Sequence, residues 1–143
     1  HWVWHYSATI NHMVAEDQPA SEQLRNLFDY FRLQFARDPQ VFKALLEFWS
    51  LAGRDADFRM KLEKVYREFL AIISTIVQKG VDSGEFSVVK VEVAALSIMV
   101  NIEGLVWFAM LESHRTNAED YIRTITDFIL AGLRPAVQKG VQS

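Results

Sequence analysis

The sequence from 88 to 111, VVKVEVAALSIMVNIEGLVWFAML, is the stretch that decides the fold. It is long enough for roughly six helical turns. After Lys90 and Glu92 near its start, it is apolar on nearly every side, interrupted inside only by Ser97, Asn101, Glu103 and Gly104. A helix that is apolar all round has no face for solvent, so it must be covered on all sides. We therefore predict a central helix that packs against its own domain on one side and against a partner on the other.

The two sides of this helix differ in composition when successive residues are placed about 100° apart. The side around Gly104 carries small residues and an amide, and comprises Val93, Ser97, Val100, Asn101, Phe108 and Leu111. The opposite side is purely hydrocarbon, with Ala95, Ile98, Ile102, Leu105 and Ala109. We predict that the side around Gly104 meets another helix closely and that the hydrocarbon side belongs to the chain's own core.

Length and composition describe a single folded domain over 1–143. Half of the residues are hydrophobic and 13% are aromatic, which excludes a disordered tail. The formal net charge is -3 without a basic block, so we expect these residues not to bind nucleic acid. The absence of cysteine excludes disulfides and thiolate sites and fits a cytoplasmic protein. The chain begins HWVWHY, without a signal peptide or an initial Met, which indicates a fragment of a longer protein.

Helical periodicity predicts five further helices and no strand. They lie over 1–17, whose first residues would also suit a strand, and over 21–37, 39–53, 54–79 and 117–133. We expect Ser21 to be the N-cap of the second helix and Gly80 the C-cap of the fourth. Lys90, Glu92 and Glu103 argue against the central helix as a membrane span. The predicted fold is all-α, with about six helices joined by short turns.

The order of motifs resembles a known family. A long amphipathic helix ends in QKGVDSGEF (78–86), the central AALSIMVNIEGLVWFAML (94–111) follows, and a last helix carries YIRTITDFILAGLRP (121–135). The upstream sequence DPQVFKALLEFWSLAGRDADFRMKLEKVYREF (38–69) is also like the pocket helices of that family. Over 21–135 the chain resembles the C-terminal effector-binding and dimerisation domain of TetR-family transcriptional regulators.

The resemblance implies a homodimer in which the last two helices of each subunit form an intersubunit four-helix bundle. It also implies a small, apolar or aromatic effector in a pocket among the earlier helices. The intact protein would be a repressor that binds operator DNA through an N-terminal helix-turn-helix domain and is released by the effector. This chain contains no basic helix-turn-helix, so operator DNA would be contacted only through a part that is missing here.

The expected dimer interface combines small and apolar residues of the last two helices. Glycine inside a helix costs about 0.5–1 kcal/mol relative to alanine, and close approach of another helix would justify it. A self-complementary patch is what a two-fold dimer requires. The alternative is ordinary packing between these helices within one chain. The interface prediction comprises Val100, Gly104, Phe108, Tyr121, Ile125, Phe128 and Gly132.

The expected ligand pocket uses aromatic and apolar residues with a few placed polar groups. The prediction comprises Phe48, Trp49, Tyr66, Phe69, Met99, Asn101 and Trp107. An aromatic stripe at helical spacing also suits a plain core. For Asn101 a hydrogen bond between helices is an equal alternative, and for Glu103 we expect such a structural bond or a salt bridge.

No cofactor, metal or catalytic residue is predicted. His1, His5 and His12 share one helical face, but no carboxylate or cysteine completes a metal site there. Phosphate-binding glycine loops, GxSxG and HExxH are all absent from the sequence. The main alternative function is a helical carrier of hydrophobic molecules without a DNA partner. A metal-dependent helical enzyme and a helical adaptor that binds through the central helix are further alternatives.

Overall fold

A computed structural model describes residues 17–38, 40–88, 90–111 and 118–136. Five helices account for most of this part, in which no strand occurs. They are α1 (Ala20–Arg37), α2 (Gln40–Ala52), α3 (Ala56–Ser83), α4 (Val91–Leu111) and α5 (Ala118–Leu133). The predicted all-α class is therefore confirmed, together with five of the six predicted helices. The helix predicted over 1–17 lies outside the described residues.

The long helix α3 begins as the sequence predicts but ends later. Asp55 is its N-cap, and the Asp55 carboxylate accepts a hydrogen bond from the Phe58 backbone N–H at 3.0 Å. The helix continues through Gly80 to Ser83 and ends at Gly84, whose φ of 82° is left-handed. Left-handed backbone at a helix end favours glycine because a side chain would clash there. The prediction that Gly80 caps this helix was wrong.

Gly80 is buried within α3 because an aromatic ring occupies the space of its missing side chain. A Cβ atom built on Gly80 would lie 2.0 Å from Cδ2 of Phe86. The chain reverses after Gly84, and the Phe86 backbone N–H donates to the Gly80 carbonyl at 2.9 Å. The ring of Phe86 thereby lies against α3 at Gly80 and is itself buried. Gly80 makes room for packing instead of ending the helix.

The first turn of α1 is capped by a distant carboxylate and not by the predicted Ser21. Pro19 occupies the N-cap position and makes no side-chain cap. Glu85, in the loop before α4, accepts hydrogen bonds from the Ala20 backbone N–H at 2.9 Å and the Ser21 hydroxyl at 2.8 Å. The Lys79 ammonium donates to the carbonyl of Gln18. Two groups that lie about 60 residues later in the chain therefore hold the start of α1 in place.

The core lies where α3 packs against α1, α2 and α4, with α5 closing against α1 and α4. The hydrocarbon side of α4 enters this core, as predicted, since Ala95, Ile98 and Ile102 are all buried. None of the described helices is long and apolar enough to cross a membrane. The remaining side of α4 is available for other contacts.

Candidate functional site: an exposed apolar face and an aromatic cluster

The helices α4 and α5 each expose large apolar side chains. Phe128 on α5 is 77% exposed and Val100 on α4 is 60% exposed. Tyr121 is exposed on the same helix as Phe128, and Ile125 between them is half-buried. The helices α4 and α5 pack against each other, and we call their exposed apolar side chains the α4–α5 face. The side chain of Phe108, the remaining bulky residue of the predicted interface, lies outside the described part.

Gly104 and Gly132 both lie on helices that form this face. A Cβ atom built on either glycine would meet nothing within 4 Å. Close packing against another described helix of the same chain, the alternative considered from the sequence, therefore does not account for these glycines. The two positions remain open for a helix that comes from outside this part of the chain.

A cluster of aromatic side chains lies between α2 and α3. The rings of Trp49 and Tyr66 have centroids 5.3 Å apart, and the rings of Phe48 and Phe58 are 5.5 Å apart. Trp49 is 44% exposed, and Phe48 is similarly open. Phe58 is not among the predicted pocket residues, although Phe58 precedes Tyr66 by eight residues on α3 and thus lies on a similar side of that helix. The cluster combines large apolar surface with access to solvent, as a ligand site requires.

Glu103 of α4 lies beside this cluster. The indole N–H of Trp49 donates to the Tyr66 hydroxyl oxygen at 2.9 Å. The Glu103 side chain lies close enough to Tyr66 to raise the pKa of its hydroxyl. The expected structural hydrogen bond or salt bridge of Glu103 stays a prediction. Glu103 places an acidic group beside the aromatic cluster, at a position that the sequence prediction left out of the ligand site.

Their surroundings change the pKa of both Tyr66 and Glu103. Burial raises the pKa of Glu103 above its ordinary value, and the nearby Tyr66 hydroxyl opposes this only in part. Burial, followed by the nearby Glu103 charge, raises the pKa of Tyr66 strongly. The Tyr66 hydroxyl therefore keeps its proton, which it can donate to Glu103.

The other predicted pocket residues range from buried to exposed. Met99 is buried in the hydrophobic core, and Phe69 is half-buried, with its ring edge-on to Phe31 at 5.6 Å. The Asn101 amide donates to the Ser97 carbonyl at 2.8 Å within α4 itself. Trp107 is 48% exposed and follows Glu103 by one helical turn. The structure therefore brings Trp49 and Tyr66 together directly and places Phe48 against Phe58, and Trp107 shares the Glu103 side of α4.

Two clefts elsewhere contain none of the predicted site residues. A cleft of about 740 Å³ lies between the end of α3 and the start of α4 and is lined mainly by residues with polar or charged side chains. A second, of about 400 Å³, lies between α1 and α5 and is lined largely by charged residues, four of which pair with one another. Arg25 binds Asp127 at 2.9 Å there, and Arg32 binds Asp29 at 3.2 Å. The part of the chain that the structure describes contains no cluster of metal-binding side chains, and His1, His5 and His12 fall outside it.

Solved structures share this fold. The transcriptional regulator FadR from Bacillus subtilis, in complex with stearoyl-CoA, superposes with a TM-score of 0.75 at 18% identity, covering 92% of this chain and 70% of that chain. A TetR transcription regulator from Haloarcula marismortui ATCC 43049 gives a TM-score of 0.79 at 20% identity, covering 93% of this chain and 69% of that chain. At these identities the likeness establishes the fold alone. No curated protein matches this chain.

The sequence itself establishes the family. The C-terminal domain of BetI-type transcriptional repressors matches residues 19–134, which is most of the chain and includes all five described helices. The helix order, the long α3 and the apolar α4 are what the resemblance to TetR regulators implied. The chain therefore belongs to the family of BetI-type, TetR-like transcriptional repressor C-terminal domains.

Proposed function

We propose that this chain is the ligand-sensing and dimerisation domain of a cytoplasmic transcriptional repressor that leaves its operator when a small, largely apolar effector binds. The observation that carries the proposal is the α4–α5 face. Phe128 and Val100 expose apolar surface on it, and Gly104 and Gly132 leave room for a close helix. Large contiguous apolar patches on a soluble domain mark interaction sites.

The occupant that we propose for this face is a second copy of the chain. Membership of the family supports a dimer, and a two-fold interface uses the same patch on both subunits. The last two helices of each subunit would then form a four-helix bundle, in which Gly104 and Gly132 allow the backbones to approach closely.

The aromatic cluster between α2 and α3 is the proposed effector site. Phe48, Trp49 and Tyr66 provide apolar surface that is already partly open, and Trp107 adds a ring on α4. A regulator of similar fold was solved with stearoyl-CoA, whose acyl chain is long and apolar. That likeness supports an apolar effector for this chain.

The proposed mechanism is a shift between two dimer geometries. The effector would bind more tightly to the geometry that fits operator DNA poorly, and the coupling equals the difference between its affinities for the two. Since Glu103 of α4 acts on the pKa of Tyr66 of α3, an effector at the cluster would lie beside the helix that also forms the α4–α5 face. One helix thereby connects the proposed effector site to the proposed interface.

Native mass spectrometry of the purified chain tests this proposal. One chain weighs 16.5 kDa, so we expect a species of twice that mass. A retained effector would add mass to it. A chain that stays monomeric at micromolar concentration would contradict the proposed dimer.

A pair of matched variants tests the location of the interface. Phe128→Glu places a charge in the α4–α5 face, and we expect dimer affinity to fall by more than about 30-fold, because central interface aromatics contribute about 2 kcal/mol or more. Met60→Glu is the control, since Met60 is 60% exposed on α3, away from this face. Equal effects of both substitutions would contradict the proposed location.

A further inference from the structure

The loop 84–87 binds the ends of two helices at once. The Glu85 carboxylate accepts a hydrogen bond from the Ala20 backbone N–H, at the start of α1, at 2.9 Å. Two residues later, the Ser87 backbone N–H donates to the Leu133 carbonyl, at the end of α5, at 2.8 Å. The first N–H groups and the last carbonyl groups of a helix have no partner within that helix. One short loop therefore supplies missing partners to α1 and to α5.

Both oxygens of the Glu85 carboxylate take part in the contact with α1. Oε2 accepts from the Ala20 N–H, and Oε1 accepts from the Ser21 hydroxyl at 2.8 Å. A negative charge at the N-terminal end of a helix is also favoured by the helix dipole. An amide side chain has only one oxygen, so glutamine in the same place would lose one of these two acceptors. The contact with α1 therefore depends on the ionised carboxylate.

Phe86, between these two residues, fixes the loop to α3. Its ring lies where a side chain of Gly80 would be, and its backbone N–H donates to the Gly80 carbonyl at 2.9 Å. Consecutive Cα atoms are about 3.8 Å apart, so three successive residues cannot move far from one another. A shift of α3 against α5 is therefore passed to the start of α1, unless one of the three contacts breaks.

Further hydrogen bonds hold the residue that precedes α1 by one proline. The Lys79 ammonium of α3 donates to the Gln18 carbonyl, and the Asn26 amide donates to the Gln18 side-chain oxygen at 2.7 Å. Asp17, next to Gln18, is exposed. The residues before α1 thus join the domain at a position that α3 and the loop 84–87 define.

We propose that the loop 84–87 is a joint that couples the segment before α1 to α3 and α5, with Glu85 as its positioning residue. This inference rests on the proposed function, in which the operator-binding residues precede α1 while α4 and α5 form the dimer. A change of dimer geometry at α5 then reaches the segment before α1 through the loop, and not only through the hydrophobic core.

A nitroxide label on the variant Asp17→Cys tests the joint by electron paramagnetic resonance, since the chain has no cysteine of its own. We expect Glu85→Gln and, separately, Gly80→Ala to increase the mobile fraction of the label at least about threefold, as the loss of one hydrogen bond allows. Hydrogen exchange of the Ala20 amide should become about tenfold faster in Glu85→Gln, which corresponds to about 1.4 kcal/mol.

Two control variants separate the joint from general destabilisation. Glu22→Gln removes an exposed acidic group from the same first turn of α1. Asp55→Ala removes the N-cap of α3, at the end of that helix opposite to the loop. Neither control should reproduce the changes in label mobility and amide exchange, because the loop keeps its three contacts in both.

A double variant tests whether the three contacts act as one unit. Since both substitutions loosen the same loop, Gly80→Ala should add little label mobility in the Glu85→Gln background. Unchanged mobility in both single variants, fully additive effects, or equal changes in Asp55→Ala would overturn the joint.

Native mass spectrometry of the same samples separates this inference from the proposed function. A dimer whose label mobility does not respond to Glu85→Gln overturns the joint alone. A monomeric chain contradicts the proposed dimer whichever way the label behaves.

Discussion

Replacing Gly80 with alanine tests the packing between α3 and the loop that follows it. Alanine would normally stabilise a helix interior by about 0.5–1 kcal/mol relative to glycine. Here the added Cβ would lie 2.0 Å from Cδ2, 2.5 Å from Cε2 and 2.6 Å from Cγ of Phe86. The ring cannot move aside easily, since the Phe86 backbone is hydrogen-bonded to Gly80 itself.

The size of the effect follows from the ring's displacement. Forcing a buried phenylalanine out of its place loses about 1.5–3 kcal/mol of the free energy gained by apolar burial. The preference of a helix for alanine over glycine offsets part of that loss. We expect Gly80→Ala to lower the free energy of unfolding by about 1–2 kcal/mol. In urea this corresponds to a midpoint about 0.5–1 M lower, measured by circular dichroism at one fixed protein concentration.

A double-mutant cycle with Phe86→Ala isolates the clash from other effects of the substitution. Without the ring, Gly80→Ala should raise stability by about 0.5–1 kcal/mol, because only the helix preference remains. Two results would refute the reasoning. One is a Gly80→Ala protein at least as stable as the wild type. The other is an unchanged penalty in the Phe86→Ala background.

Three further predictions concern charged groups. Partial burial favours the neutral form of Glu85, but hydrogen bonds from Ser21, Ala20 and Ser83 outweigh it and lower the pKa of Glu85 below the ordinary 4.5. Glu85 therefore contributes to the free energy of unfolding above pH 4.5, and this contribution is lost as the pH falls through the lowered pKa. The variant Glu85→Gln should lose about 1–2 kcal/mol of that free energy at pH 7, and its difference from the wild type should become smaller in unfolding scans at acid pH. Asp55→Ala should lose about 1 kcal/mol in thermal unfolding through the lost N-cap of α3, and an unchanged midpoint would contradict that role. Asp127→Asn should change the urea midpoint little, by less than about 1 kcal/mol, because its ion pair is exposed; a larger loss would show that the pair matters more than its exposure implies.

The fold was predictable where the sequence pattern is long and regular. The period of α4 separated Ala95, Ile98 and Ile102 from Val93 and Val100, and the first set is buried while the second is exposed. Apolar periodicity predicts the buried face there because a long helix repeats the same pattern over several turns. The helix predicted over 54–79 begins within two residues of its predicted start, since its N-cap Asp55 and the partner Phe58 are only three residues apart.

The errors concern features that depend on distant residues. Gly80 has the appearance of a helix end, and only the approach of Phe86 shows why glycine is needed inside the helix. Ser21 is a residue type that often caps a helix, but its hydroxyl donates to Glu85. Side-chain identity gives the capacity for hydrogen bonding, whereas the partner is chosen by the tertiary fold.

In the candidate site, too, local patterns were predictable from the sequence and distant partners were not. Large aromatics at helical spacing predicted a cluster, and Trp49 and Tyr66 do meet. An acidic residue inside an apolar helix indicated that Glu103 needs a partner, but not that it would lie beside Tyr66. Met99 could not be separated from pocket residues by type, because apolar side chains serve a core and a ligand equally.

The cap that Glu85 places on α1 has a consequence for the order of folding. Most helix caps are local and form with the first turn, but this one closes a loop of about 65 residues. Contacts of such separation form late, after local helices have appeared. A fragment that ends before residue 84 therefore leaves the first turn of α1 without its carboxylate partner. In a nascent chain emerging from the ribosome, α1 gains a stable beginning only when the loop that leads into α4 has been made.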